Sequence, residues 1–302
     1  MTSGPGETLQ TVGDLIRWGA SRLNAAGRHF GHGTDNAADE ARVLVFYALA
    51  LDFDAPDYFY QCRVTGAERQ SAIDLIQQRV ASGQPTAYLT GEAWFAGLRF
   101  EVNENVLVPR SPLAELIANG FAPWCQPAQL HRALDLGTGS GCIAIAMATH
   151  IGCRVDATDV SEQALAVAAR NVAAHDLDDQ VELIQSDVYE QLQGRRYDLI
   201  VSNPPYVPAD SMATLPDEYG HEPDLALAAG DDGLDIVRRI ISGAAEHLNP
   251  GGVLVCEVGE SAQTVIECYP QLPFEWVDFQ RGGDGVFVLR ANALTEVVAD
   301  VG

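Results

Sequence analysis

Lysine is absent from this chain. All 18 basic residues are arginines, set against 42 acidic ones, and the formal net charge is −24. A surface of that sign repels phosphate backbones, whose binding rests on basic side chains that displace counterions, so stable DNA or RNA binding is not expected. It attracts a strongly basic protein instead, although adaptation to salt accounts for the charge equally well. No apolar run reaches the roughly 18–20 residues of a membrane span, and the polar N-terminus lacks the basic-then-apolar pattern of a secretion signal. The 6 cysteines (Cys62, Cys125, Cys142, Cys153, Cys256, Cys268) form no C-x-x-C pair, and neither they nor the 7 histidines fall at zinc spacing. A reduced cytosolic compartment without a structural metal is the expectation. What remains is ample: 302 residues, 47% hydrophobic and 20% charged, are enough for two domains with a sizeable core.

The patterning divides the chain. Over 8–27, Leu9, Val12, Leu15, Ile16 and Leu23 share one helical face, and 34–51 and 66–81 read as further helices. Asp39 and Glu40 suit a helix start and Gly83 a helix stop. Residues 1–83 are therefore expected to form a helical domain. The aromatic and branched stretch 84–110 predicts a β-hairpin turning at Asn103-Glu104-Asn105, and Ser111 caps a helix with Pro112 at its first position. From His131 strands alternate with helices (RALDL, CIAIAMATH, RVDATD, SEQALAVAARNVAAH, VELIQSD, YDLIVS, GVLVCEV), which predicts that 111–302 is an α/β domain with a doubly wound parallel sheet. The closing FEWVDF and GVFVLR flank a turn, so the last strand is expected to run antiparallel at the end of the sheet.

Two motifs carry chemistry. The first, Asp135-Leu136-Gly137-Thr138-Gly139-Ser140-Gly141, leaves a strand and enters a helix. Its glycines permit tight turning and close approach of a ligand to amides at a helix start. Asp159 ends the next strand, where a carboxylate reaches ribose hydroxyls. The spacing is neither G-x-G-x-x-G nor a P-loop, and it points to an adenosine-containing ligand.

The second, Ser202-Asn203-Pro204-Pro205-Tyr206, follows the strand YDLIVS. Proline after Asn203 biases that residue to an extended conformation, and two prolines stiffen the turn. A rigid side-chain amide and neighbouring carbonyl can accept both N–H bonds of a planar NH2 group as it attacks a methyl sulfonium, stabilising the charge that builds on nitrogen. Tyr206 would cover the planar substrate. A Pro-Pro turn that merely caps a strand is the plain alternative, and the neighbouring glycine loop and Asp159 weigh against it.

Together D-L-G-T-G-S-G and N-P-P-Y resemble the HemK-like class I methyltransferases, which use S-adenosylmethionine to methylate glutamine side-chain amides in proteins. The resemblance spans nearly the whole chain. Within that family, His32-Gly33-Thr34-Asp35-Asn36 through Ala41, Glu218-Tyr219-Gly220-His221-Glu222-Pro223 and Gly282-Gly283-Asp284-Gly285-Val286-Phe287 are similar to the PrmB-type branch, which acts on large-subunit ribosomal protein three. Pro109-Arg110-Ser111-Pro112-Leu113-Ala114-Glu115 departs from the P-R-P-E-T-E of the release-factor branch. The resemblance implies that Gly137–Gly141 line the methionine end of S-adenosyl-L-methionine, that Asp135 also binds this cofactor, that Asp159 holds its ribose, and that Asp187 and Val188 meet the adenine. Asn203 also borders the cofactor; with Pro204, Pro205 and Tyr206 it would hold the glutamine amide. Phe95 and Arg110 lie where the family's hairpin region folds over the site, although hairpin core and surface charge explain them as well.

The expected partner is thus a basic ribosomal protein, with neither stable nucleic-acid binding nor a membrane. Three alternatives stay open at this stage: methylation of a release factor, methylation of an exocyclic amino group on a nucleic-acid base, and a non-catalytic assembly factor. Other residues take ordinary roles. Asp231-Asp232 is expected to cap the following helix, and Trp18 to join the helical core. His221 is the one histidine in a loop next to the proposed site.

Overall fold

The computed structural model describes residues 8–280 and 282–294. It divides into two compact units, one reaching to Ala93 and also containing Pro216–His221, the other holding Trp94–Leu215 and the chain from Glu222 onward. Among the described residues no helix is long and apolar enough to cross a membrane.

The first unit packs three helices, α1 (Val12–Ala25), α2 (Ala37–Ala48) and α3 (Gly66–Ser82), followed by the short α4 (Thr86–Thr90). Capping boxes at Thr11/Asp14 and Thr65/Glu68 start α1 and α3, while the Asn36 side chain caps α2. Leu9, Val12, Leu15, Leu44, Val45, Ile73 and Ile76 form the core, with Trp18 packed against it. Beside this apolar core lies a buried ionic one. Arg79, only 1% exposed, donates to Glu40 at 2.5 Å, to the His29 carbonyl at 3.0 Å and to Glu218 at 3.4 Å. Thr86 and Thr34 also donate to Glu40, and the His29 amide to Glu218. A buried charge needs such partners. They explain why the His32–Ala41 segment carries Thr34 and Glu40 at fixed positions, and why Glu218, distant in sequence, belongs to the helical unit.

The hairpin differs from its expectation. Strands β1 (Glu92–Phe95) and β2 (Leu98–Glu101) are joined at Ala96 (φ 49°) and Gly97 (φ 80°), not at Asn103-Glu104-Asn105. A two-residue turn matching strand twist needs positive φ at both positions, and alanine gave no sign of it. The Asn103 side chain instead accepts from the Asn105 amide in a separate bend.

In the second unit α5 (Leu113–Ala118) starts one residue later than expected, and Ser111 Oγ does accept the Leu113 amide at 3.1 Å. Strands β3 (Arg132–Leu136), β4 (Arg154–Asp159), β5 (Val181–Gln185), β6 (Tyr197–Ser202), β7 (Leu248–Glu257), β8 (Glu275–Trp276) and β9 (Val286–Arg290) form one sheet in the order β5-β4-β3-β6-β7-β9-β8. Helices α6 (Cys142–Ile151), α7 (Glu162–Ala174), α8 (Asp235–His247) and α9 (Ala262–Cys268) complete the doubly wound α/β architecture. As expected β9 is antiparallel to β7, but it is not the edge: it inserts between β7 and β8. The strongly apolar Val-Phe-Val-Leu of β9 is buried in that position, whereas the short β8 is suited to the rim.

Candidate active site

Strand register builds the site. Leu136 lies beside Thr158 and Ser202, and Ser202 beside Cys256, so the chains that follow leave the C-terminal edge of the sheet as neighbours. The strand order reverses between β3 and β6, the crevice where open α/β sheets bind ligands. A cavity of about 180 Å³ opens there. Its walls include Gly137, Thr138, Gly139, Ser140, Asp159, Asp187, Val188, Asn203, Pro204, Pro205 and Arg110. Asp135, Gly141, Tyr206 and Phe95 lie outside those walls.

In the glycine loop, Gly137 (φ 73°) and Gly139 (φ 54°) take left-handed backbone conformations that disfavour side chains. The Gly137 and Thr138 amides donate to the Thr158 carbonyl at 2.9 and 2.8 Å, binding the loop to the end of β4. Asp135 works from behind. It is fully buried and accepts from Thr138 Oγ1 at 2.6 Å and from the Ala144 amide at 3.2 Å, so it braces the loop against α6. Burial pushes its carboxyl up to about 7, against the pull of those two hydrogen bonds. Among the described residues no hydrogen bond reaches its Oδ1. Cys142 also lines the cavity, and burial raises its thiol to about 12, which disfavours the thiolate.

Asp159 closes β4. One carboxylate oxygen accepts the Gly139 amide and the other the Ser161 amide, both at 2.9 Å, which fixes the group and leaves lone pairs for a ligand's hydroxyls. Burial raises its pKa and the backbone donors oppose that rise. After β5, the Ser186 hydroxyl donates to the Val188 carbonyl and accepts the Gln191 amide. This holds Val188 at φ 52°, an uncommon conformation for a β-branched residue. Asp187 pairs with Arg239 at 2.8 Å. Val106, Leu136, Ile143, Val160, Ile236 and Ile240 supply apolar surface to the same cavity. An apolar slot beside a fixed carboxylate fits an adenosine carrying an amino-acid tail.

Asn203 lines the cavity, and its amide makes no hydrogen bond to the described residues. Ser202 anchors the turn by donating to the Leu136 carbonyl at 2.7 Å. Tyr206 turns away from the cavity: its hydroxyl donates to Glu257 at 3.1 Å and its carbonyl accepts from Ser261 Oγ at 3.1 Å. Arg110 forks onto Glu222, with both N–H···O distances at 2.6 Å, and Glu222 also accepts the Val108 amide at 3.0 Å. Phe95 is hairpin core, 4% exposed. Asp232 accepts the Leu234 amide and pairs with Arg238 at the start of α8, an ordinary helix-start role.

Sequence reasoning left two carboxylates without a role, Glu222 and Glu257. The second carried a signal: like Asp159 it is a lone acid ending an apolar strand at the C-terminal edge. Glu222 had none, because its partner Arg110 is far away in sequence.

The strand order and this cleft define a class I S-adenosyl-L-methionine-dependent methyltransferase. A family model described as the methyltransferase small domain matches residues 121–215, and one described as the PrmC N-terminal domain matches 14–91. Among solved structures, the hMettl16 catalytic domain in complex with MAT2A 3′UTR hairpin 1 shares the fold, with a TM-score of 0.51, 18% identity and coverage of 91% of this chain and 90% of that one. Curated relatives are far nearer. The ribosomal protein uL3 glutamine methyltransferase of Xanthomonas campestris pv. campestris is 50% identical over 296 residues, covering 97% of this chain and 96% of the relative. That of Bordetella pertussis is 50% identical over 291 residues, covering 95% and 97%. The chain belongs to the ribosomal protein uL3 glutamine methyltransferase family. It is a protein-glutamine N-methyltransferase, and its methyl donor is S-adenosyl-L-methionine.

Proposed function

We propose that this enzyme methylates the side-chain amide nitrogen of one glutamine in ribosomal protein uL3, the substrate named for its relatives. The observation that carries the reading is the Asn203 amide on the cleft wall, which makes no hydrogen bond to the described residues. When bound, S-adenosyl-L-methionine supplies an electrophilic methyl on a sulfonium, and the amide nitrogen that takes it must shed one proton. That nitrogen is a poor nucleophile because its lone pair is delocalised. Asn203 Oδ1 and the Pro204 carbonyl accept its two N–H bonds, stabilise the positive charge that develops there and hold the nitrogen in line. The proton then passes to water, and no side-chain base is needed. Asp159 takes the ribose, Gly137–Gly141 the methionine end and the apolar slot beside Val188 the adenine.

The helical unit recognises the substrate protein. A basic uL3 suits a chain of net charge −24. The test offers purified uL3, a class I release factor and duplex DNA in parallel with labelled S-adenosyl-L-methionine. One methyl on one uL3 glutamine, and none elsewhere, is the expected result. Transfer to the release factor instead would overturn the substrate, and transfer to DNA would overturn the chemistry.

A further inference from the structure

Glu257 ends β7 one position beyond Cys256, which is in register with Ser202. It therefore leaves the sheet alongside Asn203. The side chain is 5% exposed, and both its oxygens are engaged: Ser111 Oγ donates to one at 2.5 Å and the Tyr206 hydroxyl to the other at 3.1 Å. Ser111 lines the cleft and follows Arg110, whose own carboxylate partner is Glu222. Burial pushes the Glu257 carboxyl up, while the two hydroxyl donors and nearby Arg110 pull it back.

The residues that follow close on the same tyrosine. Gly259 (φ 47°) lies under the Tyr206 ring, where a Cβ would stand 2.7 Å from Cε2. Ser261 holds the Tyr206 carbonyl at 3.1 Å. Behind Gly259 sits Gly285 (φ 66°), where a Cβ would stand 2.1 Å from the Gly259 carbonyl oxygen, and the Val258 amide donates to the Gly285 carbonyl at 2.7 Å. Tyr206 is thus gripped at hydroxyl, ring and carbonyl by one loop, which the Gly282–Gly285 turn backs.

We infer that Glu257 is a positioning residue for methyl transfer: it fixes Tyr206, and through it the Asn203-Pro204 acceptor pair, against the Ser111 wall of the cleft. The inference rests on the glutamine-methyltransfer reading above. A strand-end carboxylate with two hydroxyl donors costs burial energy that an apolar residue would not, and it spans the two loops that must stay in register for in-line attack. A misplacement of about 1 Å at such a site is worth up to about a hundredfold in rate.

The experiment compares wild type with Glu257→Met, which cannot hold either hydroxyl, Tyr206→Phe and the double variant. It reads kcat and KM for uL3, cofactor Kd by calorimetry, melting temperature, and amide exchange of Val207 and Ala209, which pair with the Leu227 and Gly230 carbonyls. Each single variant should lose about 10- to 100-fold in kcat, with cofactor Kd and KM within about threefold. The double variant should lose no more than about threefold beyond the worse single, because both break one linkage. Faster exchange at Val207 and Ala209 should accompany the loss. Unchanged kcat, or losses that multiply in the double variant, would overturn the inference. If wild type fails to methylate uL3, the functional reading has failed instead, and exchange at Val207 and Ala209 in Glu257→Met decides alone: faster exchange upholds the positioning role and unchanged exchange overturns it.

Discussion

The Arg110 guanidinium meets both carboxylate oxygens of Glu222 in a planar fork at 2.6 Å, on a cleft wall where the Glu222 carboxylate is wholly buried. The pairing commits Arg110 to the wall. Lysine cannot reproduce a two-point fork, so Arg110→Lys should raise cofactor Kd several-fold by loosening the Val106–Ser111 strip. Glu222→Ala removes both carboxylate acceptors of the fork and frees the Val108 amide, a loss of about 2 kcal/mol in stability. Calorimetry and urea melts read the two effects. An Arg110→Lys enzyme with unaltered cofactor affinity would show that the fork is not what shapes the wall.

Asn203 has the opposite character, an amide at the cleft that makes no hydrogen bond to the described residues. In the proposed mechanism, removing it takes little from the fold and much from charge acceptance in the transition state. Asn203→Ala should lower kcat by about 10²–10³-fold or more, while cofactor Kd changes by only a few-fold. Steady-state kinetics beside calorimetry separates the two quantities. Turnover that survives the substitution would refute acceptance by the amide.

These two residues mark where the sequence was legible. The place of Asn203 at the cleft was readable because its pattern is local: an apolar strand, then a polar residue stiffened by two prolines. The glycine loop and Asp159 were readable for the same reason, each being a strand end with its turn. Arg110 was readable only as a candidate, since its partner Glu222 is brought to it by the fold. Tyr206 shows the same limit. Its identity follows from the motif, but its direction, away from the cavity and onto Glu257 and Gly259, depends on β7. Asp135 reads as part of the binding loop in one dimension and stands behind it in three. The β9–β8 order escaped because a turn shows that two strands are antiparallel, not which of them meets β7.

Val188 carries a strain that no pattern shows. A β-branched residue at φ 52° costs about 1–2 kcal/mol, which the Ser186 clasp and the packing of its side chain hold in place. Val188→Gly deletes apolar contact but releases that strain, so stability should stay within about 1 kcal/mol of wild type. The proposed adenine slot loses a wall, and cofactor Kd should rise about three- to tenfold, by the loss of roughly a kilocalorie of apolar contact. Thermal melts with and without cofactor test both halves. A large stability loss would mean that the backbone conformation is not strained.

Asp135 makes folding depend on pH. Its carboxyl titrates at about 7 in the fold against 3.8 for an unperturbed aspartate, chiefly because burial disfavours the charge, with Asp159 adding to the rise. The folded state therefore binds more protons than the unfolded chain between those values, and this group's contribution to stability falls as pH rises through that window, levelling off above it. A difference of about three pKa units corresponds to about 4 kcal/mol. Asp135→Asn can keep the hydrogen bonds from Thr138 and Ala144 while removing the ionisation. Urea unfolding at pH 5 and pH 8.5 should show wild type losing more stability than Asp135→Asn over that interval, by a few kcal/mol. Parallel pH profiles for the two proteins would mean that Asp135 is not the group that takes up the proton.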